Sequence, residues 1–259
     1  MSDLKVVLYG CLGRMGTEIS NLIEKTPNIE VVAGFDVAKS REDRPYPIHS
    51  DISCYPASAN VIINFMSPTA VDEAVVLLKH CETHGIPIVY GTTSLPYEIE
   101  SAIAHASKNI AIFKAPNMAP GLNMLADLLG KASKMLYNLD FDVEIIEKHH
   151  NKKLDAPSGT AILLAEKINT SLGGNMHMTT DRSAQHSERN RMEIGMHSVR
   201  GGTIAGEHTV IFAGPNETIE FTHTATSREV FAIGAVKAAQ FIYGKPAGVY
   251  TMQDLLRSL

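Results

Sequence analysis

A chain of 259 residues, 44% hydrophobic and 20% charged, has an ordinary globular composition and room for one large domain or two modest ones. Its formal net charge of -5 disfavours non-specific nucleic-acid binding, and no apolar run approaches the ~18 residues needed to span a bilayer. Cys11, Cys54 and Cys81 form no CxxC pair, and the opening MSDLKVVLYG is unlike a signal peptide, so a cytoplasmic protein is expected.

Residues 4–10 (LKVVLYG) read as a short buried strand that runs directly into Gly10-Cys11-Leu12-Gly13-Arg14-Met15-Gly16. Met15, Ile19, Leu22 and Ile23 then mark one face of a helix, and Val31–Phe35 is a second apolar run ending at Asp36. Strand, glycine turn, helix, strand and terminal acid is the order of a dinucleotide-binding unit. Glycines let the backbone approach a pyrophosphate, the helix start holds its charge, and Asp36 can accept hydrogen bonds from ribose hydroxyls. The spacing is GxxGxxG, one residue longer than the commonest form. Glycines alone would mark only a tight turn; the complete unit is what points to a cofactor.

After Asp36 the chain is polar and proline-broken. Lys39, Arg41 and Arg44 could reach the 2′-phosphate of NADPH, whereas the acid at the strand end repels it, so the pattern leans to NADH and leaves both cofactors open. Val61–Phe65, Ile86–Tyr90 and Ile110–Phe113 read as further strands, with a helix marked by Val71, Ala74, Val75 and Leu78 after the first of them. Two strands end in small hydrogen-bonding runs, Gly91-Thr92-Thr93-Ser94 and Ala115-Pro116-Asn117-Met118. Ligands of open parallel sheets sit beyond the carboxyl ends of strands, so both runs are candidates for the cofactor, although either one alone would pass as a turn.

From Met118 the texture changes. A helix carrying Leu122, Leu125, Leu129 and Leu136 leads to an apolar strand at Val143–Ile146 and then to the densest charge in the chain, Lys148-His149-His150-Asn151-Lys152-Lys153. Asp155-Ala156-Pro157-Ser158-Gly159-Thr160 follows, and Ala161, Leu164, Ala165, Ile168 and Leu172 restart a helical pattern. A cationic loop ending at a fresh helix N-terminus suits a ligand carrying carboxylates or phosphates, and suits a proton donor as well. The plain alternative is a solvated charge run. Zinc is not expected, because adjacent histidines diverge and no cysteine stands nearby. Residues 171–195 are polar and aperiodic, like a surface excursion. Met196–Val199, His208–Ala213 and Thr218–Thr224 read as strands, the last two joined by Gly214-Pro215-Asn216, with His208 and His223 taken as packed or solvent-facing residues. A final helix carries Phe231, Ala235, Ala238, Ala239 and Ile242. The expected fold is α/β: an N-terminal Rossmann-like doubly wound parallel sheet, with a second α+β domain on a mostly antiparallel sheet. The expected boundaries are 1–118, with 229–259 returning to it, and 119–228.

Glu147, His149, His150, Lys153, Asp155, Pro157, Ser158, Gly159, Thr160 and Ala161 fill, without a gap, the pattern E-x-H-H-x-x-K-x-D-x-P-S-G-T-A. On that pattern, GxxGRMG at the N-terminus, SVRGG at 198–202, GEH at 206–208 and SR at 227–228, the chain resembles the 4-hydroxy-tetrahydrodipicolinate reductase (dihydrodipicolinate reductase) family along essentially its full length. It departs from the family at Asn64-Phe65-Met66, where Asp-Phe-Ser/Thr is usual, and at Met118, where an aromatic is common. The resemblance implies reduction of a small cyclic imine-type dicarboxylate by NADH or NADPH in the diaminopimelate route to lysine. It implies His149 as proton donor and acceptor, Lys153 as a second donor made more effective by cationic neighbours, and His150 with the backbone of Gly159 and Thr160 as a carboxylate grip. It also implies cofactor contacts at Gly10, Cys11, Leu12, Gly13, Arg14, Met15, Asp36, Gly91, Thr92, Thr93, Ala115, Pro116, Asn117 and Met118, and a homotetramer joined through the second domain. Two rivals are weighed against it. A semialdehyde dehydrogenase would need a thiol in the second domain, where this chain has none. A nucleotide sensor would bind cofactor and leave the cationic loop unused.

Overall fold

Alternation along β1 (Leu4–Tyr9) sets the architecture of the first unit, because Val6 and Leu8 enter one buried cluster while Val7 and Tyr9 enter another. A strand buried on both faces needs helices on both sides. In the computed structural model, which describes residues 3–37, 44–52, 55, 59–183 and 186–259, they are present. The order continues α1 (Arg14–Glu24), β2 (Ile29–Phe35), β3 (Ile48–His49), β4 (Val61–Asn64), α2 (Val71–His84), β5 (Ile88–Tyr90), α3 (Tyr97–Ala106), β6 (Ala111–Lys114) and α4 (Pro120–Asn138). Then come β7 (Asp142–His149), α5 (Gly159–Ser171), β8 (His177–Thr179), β9 (Glu193–Arg200), β10 (Glu207–Gly214), β11 (Glu217–Thr224), α6 (Glu229–Ile242), β12 (Gly248–Tyr250) and α7 (Met252–Arg257). The chain divides into Met1–Pro120 with Arg228–Leu259, and Gly121–Ser227.

The first unit is a parallel seven-stranded sheet in the order β12-β6-β5-β4-β1-β2-β3. From β1 the chain builds outward in one direction to β3 and then in the other from β4, so the order reverses between β1 and β4. Crevices at such reversals are where α/β sheets bind ligands. One face is covered by α1, α6 and α7, through Ile19, Ile23, Ala235, Ala239 and Leu255; the other is covered by α2 and α3, through Leu77, Leu78, Ile99 and Ile103. Close approach of α6 depends on Gly234, where a Cβ would lie 1.6 Å from the Met118 carbonyl oxygen. Elements β3, α3, β12 and α7 were not anticipated; the two strands among them span only two and three residues, too short to show a period.

The second unit carries a five-stranded sheet in the order β11-β10-β7-β9-β8. Here the expected sheet is corrected from mostly antiparallel to mixed. Strand β10 runs antiparallel to β7 and β11, whereas β9 runs parallel to both β7 and β8. The reason is the crossover: α5 carries the chain back along β7, so the next strands start from the same end and run parallel to it.

The polar stretch after α5 holds β8 and the start of β9, and it is pinned by Arg189. That guanidinium donates to Glu144 Oε1 at 2.8 Å, Asp142 Oδ1 at 2.7 Å, and the carbonyls of Asn190, Val143 and Glu193 at 2.9, 3.0 and 2.7 Å. Among the described residues no helix is long and apolar enough to cross a membrane.

Candidate active site

The glycine turn leaves β1 at Gly10, whose φ of +78° is a conformation that favours glycine. A Cβ there would meet the Phe65 carbonyl oxygen at 2.9 Å, and one at Gly16 would lie 2.2 Å from the Gly10 carbonyl oxygen. The turn is tied to the end of β2: Gly10 and Cys11 N–H donate to the Phe35 carbonyl at 2.8 and 3.3 Å, and Leu12 N–H donates to Asp36 Oδ2 at 2.9 Å. At the start of α1, Gly13 has no side chain to cap the first N–H groups, and no acid stands in the first turn. Four N–H groups at a helix start need acceptors, and a pyrophosphate supplies them. The residues present therefore fit a dinucleotide, with Gly13, Arg14 and Met15 at the helix start and Asp36 beside the turn.

The other expected cofactor residues stand at the carboxyl ends of β5 and β6, on the same edge of the parallel sheet as the turn. Gly91 leaves room for the Phe65 ring, since a Cβ would come 2.3 Å from it. The Thr92 hydroxyl donates to the Met66 carbonyl at 2.9 Å, while Thr93 is exposed. Asn117 Oδ1 accepts from Ala119 N–H at 2.8 Å, and Pro116 is exposed. Cys11, Ala115 and Met118 are buried as whole residues, so none of the three presents a side chain to solvent. Burial, reinforced by Asp36, pushes the Cys11 thiol up to about 11, and Cys81 is buried as well; neither is a ready nucleophile. Arg44 donates from Nη2 to Thr17 Oγ1 at 2.8 Å, while Lys39 and Arg41 lie outside the described residues.

In the second unit, alternation along β7 buries Val143, Ile145, Glu147 and His149 on one face. Two apolar residues are thus followed on the same face by two titratable ones. Glu147 Oε2 accepts from His149 Nδ1 at 2.6 Å, and Arg200 on β9 forks onto the carboxylate at 2.7 and 2.6 Å. Ser158 N–H donates to Glu147 Oε1 at 3.1 Å. Burial alone would raise the Glu147 carboxyl, but hydrogen bonds from Arg200, Ser198 and His149 outweigh it and hold the group at about 2. Glu147 is therefore a carboxylate, and His149 carries its proton on Nδ1 with Nε2 on the far side of the ring. Gly206 keeps that side clear, because a Cβ there would sit 3.1 Å from Nε2.

His208 on β10 packs edge-on against His149, with ring centroids 5.1 Å apart. Burial, then the neighbouring His149, lowers its pKa to about 4, so it is neutral near pH 7. Ser158 caps α5 by accepting from Ala161 N–H at 3.1 Å, and its Oγ lies 2.9 Å from His208 Nε2. With the oxygen already accepting, the hydroxyl hydrogen is free to point at Nε2.

The cationic loop turns back on itself and onto β9. Lys153 N–H donates to the His150 carbonyl at 3.1 Å, and Gly201 N–H to the His149 carbonyl at 2.9 Å. Lys153 Nζ donates to Asp155 Oδ1 at 2.8 Å, so an acid stands beside this lysine along with its cationic chain neighbours. The half-buried His150 ring makes no hydrogen bond among the described residues, Gly159 is exposed with open space where a Cβ would stand, and Thr160 is half-buried.

Sequence reasoning gave Arg200 no role of its own and took His208 as a packed or solvent-facing residue. Both enter through strand pairing, which sets His208 opposite Glu147 and Arg200 opposite His149. The only signals for them were the SVRGG and GEH runs.

A doubly wound sheet with a glycine turn, joined to a second unit that orients a histidine and a lysine, defines an NAD(P)-dependent oxidoreductase. Residues 4–118 match the N-terminal family described as "Dihydrodipicolinate reductase, N-terminus", and residues 121–256 match "Dihydrodipicolinate reductase, C-terminus". The chain is 44% identical to the 4-hydroxy-tetrahydrodipicolinate reductase of Caldanaerobacter subterraneus over 254 residues, covering 98% of both chains. It is likewise 44% identical to that of Clostridium tetani over 255 residues, again covering 98% of each. Among solved structures it shares its fold with a dipicolinate-bound dihydrodipicolinate reductase from Paenisporosarcina sp. TG-14, with a TM-score of 0.79, 22% identity and coverage of 96% of this chain and 97% of that one. The chain belongs to the dihydrodipicolinate reductase family.

Proposed function

We propose that the protein reduces 4-hydroxy-tetrahydrodipicolinate to tetrahydrodipicolinate with NADH or NADPH, in the diaminopimelate route to lysine. The 4-hydroxyl leaves as water, and one hydride and one proton are added in its place. A reduced nicotinamide cofactor, with its pyrophosphate at the glycine turn and its adenosine ribose at Asp36, would supply the hydride. The proton is the protein's contribution. His149 presents Nε2 with its other nitrogen fixed on Glu147, and Lys153 offers a second donor. His150 and the backbone at Gly159 and Thr160 hold a substrate carboxylate, each charge-assisted bond contributing about 1.5–3 kcal/mol. Electron density that builds on the conjugated imine is stabilised by these fixed cations and dipoles.

The observation that carries the reading is the connected set from Arg200 through Glu147 to His149, the last two of which open the segment most specific to the family. It is tested by supplying the condensation product of pyruvate and aspartate semialdehyde and following oxidation of NADH and of NADPH. His149→Ala and Lys153→Ala should each lower turnover by roughly a hundredfold or more with cofactor affinity little changed. Equal losses in both would show the roles misassigned, and binding without turnover in the intact protein would indicate a sensor. The domain roles follow: dinucleotide binding by residues 1–118 with 229–259, and substrate binding and assembly by 119–228. A cytoplasmic homotetramer is the expected form; β11, an edge strand with no fully buried residue in one chain, supports assembly through the second sheet.

A further inference from the structure

What orients His149 passes through one carboxylate. Glu147 is held from β7's neighbour by both Arg200 amino groups, from the start of α5 by Ser158 N–H, and from its own strand by His149 Nδ1. Arg200 also donates from Nη2 to the Asp155 carbonyl at 2.6 Å and from Nη1 to the Val199 carbonyl at 2.8 Å. One guanidinium thus ties together the acid behind the imidazole and the loop that carries Lys153.

We propose that Arg200 is a positioning residue for His149: its fork fixes the carboxylate that orients the ring and balances the charge that carboxylate would otherwise impose. The proposal rests on the reading of His149 as proton donor. A bare buried carboxylate 2.6 Å from an imidazole would stabilise the imidazolium and make it surrender its proton less readily. A bare Arg200 would do the opposite. The paired state leaves a donor whose ring is fixed but whose proton is not locked by one strong charge. The other groups around His149 do not substitute for it. His208 from β10 is neutral, with His223 beyond it on β11, and Lys153 and Asp155 from the loop pair with each other.

The test is the pH dependence of turnover in four variants of the full chain. Glu147→Gln keeps an oxygen acceptor for Nδ1–H but removes the charge, so the high-pH limb should move down by about one to two pH units. Arg200→Gln bares the carboxylate, so the limb should move up by a similar amount. Arg200→Lys keeps the charge without the fork; the limb should stay in place while turnover falls by roughly ten- to a hundredfold, the cost of a small misplacement. His149→Asn is the control and should abolish the limb.

Opposite movements in the two glutamine variants support the proposal. Limbs that stay put, or move the same way, overturn it while leaving His149 as donor, provided His149→Asn has removed the limb. A limb that survives in His149→Asn overturns both readings at once. Where Arg200→Gln does not fold, Arg200→Lys decides: turnover lowered roughly ten- to a hundredfold with the limb in place supports the proposal, and unchanged turnover overturns it.

Discussion

Acid should weaken the second unit chiefly through His208, and the effect can be isolated. The ring is buried at 5% exposure, and its Nε2 faces the Ser158 hydroxyl, so the folded state prefers it unprotonated. Its pKa is lowered to about 4 by burial and then by His149, against about 6.5 when unfolded. Because the folded value is depressed, the unfolded chain binds more protons between these limits. The stabilisation is complete above about pH 6.5 and is lost as pH falls toward about 4. Integrating that difference gives a loss of about 2 kcal/mol by about pH 5 and roughly 3 kcal/mol in all. Glu147, held at about 2, titrates too low to contribute much by then. His80 and His223, also lowered by burial, act in the same direction, but they are unchanged in a His208→Gln variant. Glutamine at 208 offers a carbonyl oxygen to the Ser158 hydroxyl and cannot titrate. Urea unfolding followed by far-UV circular dichroism at about pH 7.5 and about pH 5 should show the unaltered protein losing about 2 kcal/mol more than the variant. Equal losses would refute the assignment of a buried, neutral His208.

Two further outcomes concern the first unit. Gly16→Ala places a methyl 2.2 Å from the Gly10 carbonyl oxygen and must open the turn. NADH affinity, read by fluorescence titration, should fall at least roughly tenfold, about 1.4 kcal/mol, and unchanged affinity would show that the turn does not hold the cofactor. Asp36→Asn removes the charge that repels a 2′-phosphate, so the ratio of NADPH to NADH efficiency should rise by roughly five- to tenfold, about 1 kcal/mol of repulsion relieved. A ratio that does not move would place the adenosine ribose elsewhere.

What was legible in the sequence was local. The glycine turn, the α1 face and the acid closing β2 lie within one βαβ stretch, and hydrophobic periodicity exposed them. The cationic loop and the α5 start were equally plain, because His149, Lys153 and Ser158 are near neighbours in the chain. Arg200 and His208 were not, for they reach Glu147 and Ser158 across 53 and 50 residues through strand register. Register depends on which strands pair, and that was the weakest part of the reading: the direction of β9 was settled by a crossover helix and not by any pattern within β9 itself. Strands as short as β3 and β12 gave no period to read and are defined by their neighbours.

The fivefold anchorage of Arg189 bears on how this chain can change over generations. Among the described residues between α5 and β9, Arg189 makes the most hydrogen bonds, with Arg182 on Glu193, Arg191 on Asp140 and the buried Met176 as lesser anchors, so substitutions away from these four should accumulate with small effect on fitness. Position 189 is the most constrained of them. A lysine keeps the charge but has three donors for five acceptors and no planar fork, so two would go unserved. A saturation-mutagenesis map of the stretch should therefore be permissive at its unanchored positions and show its sharpest intolerance at Arg189.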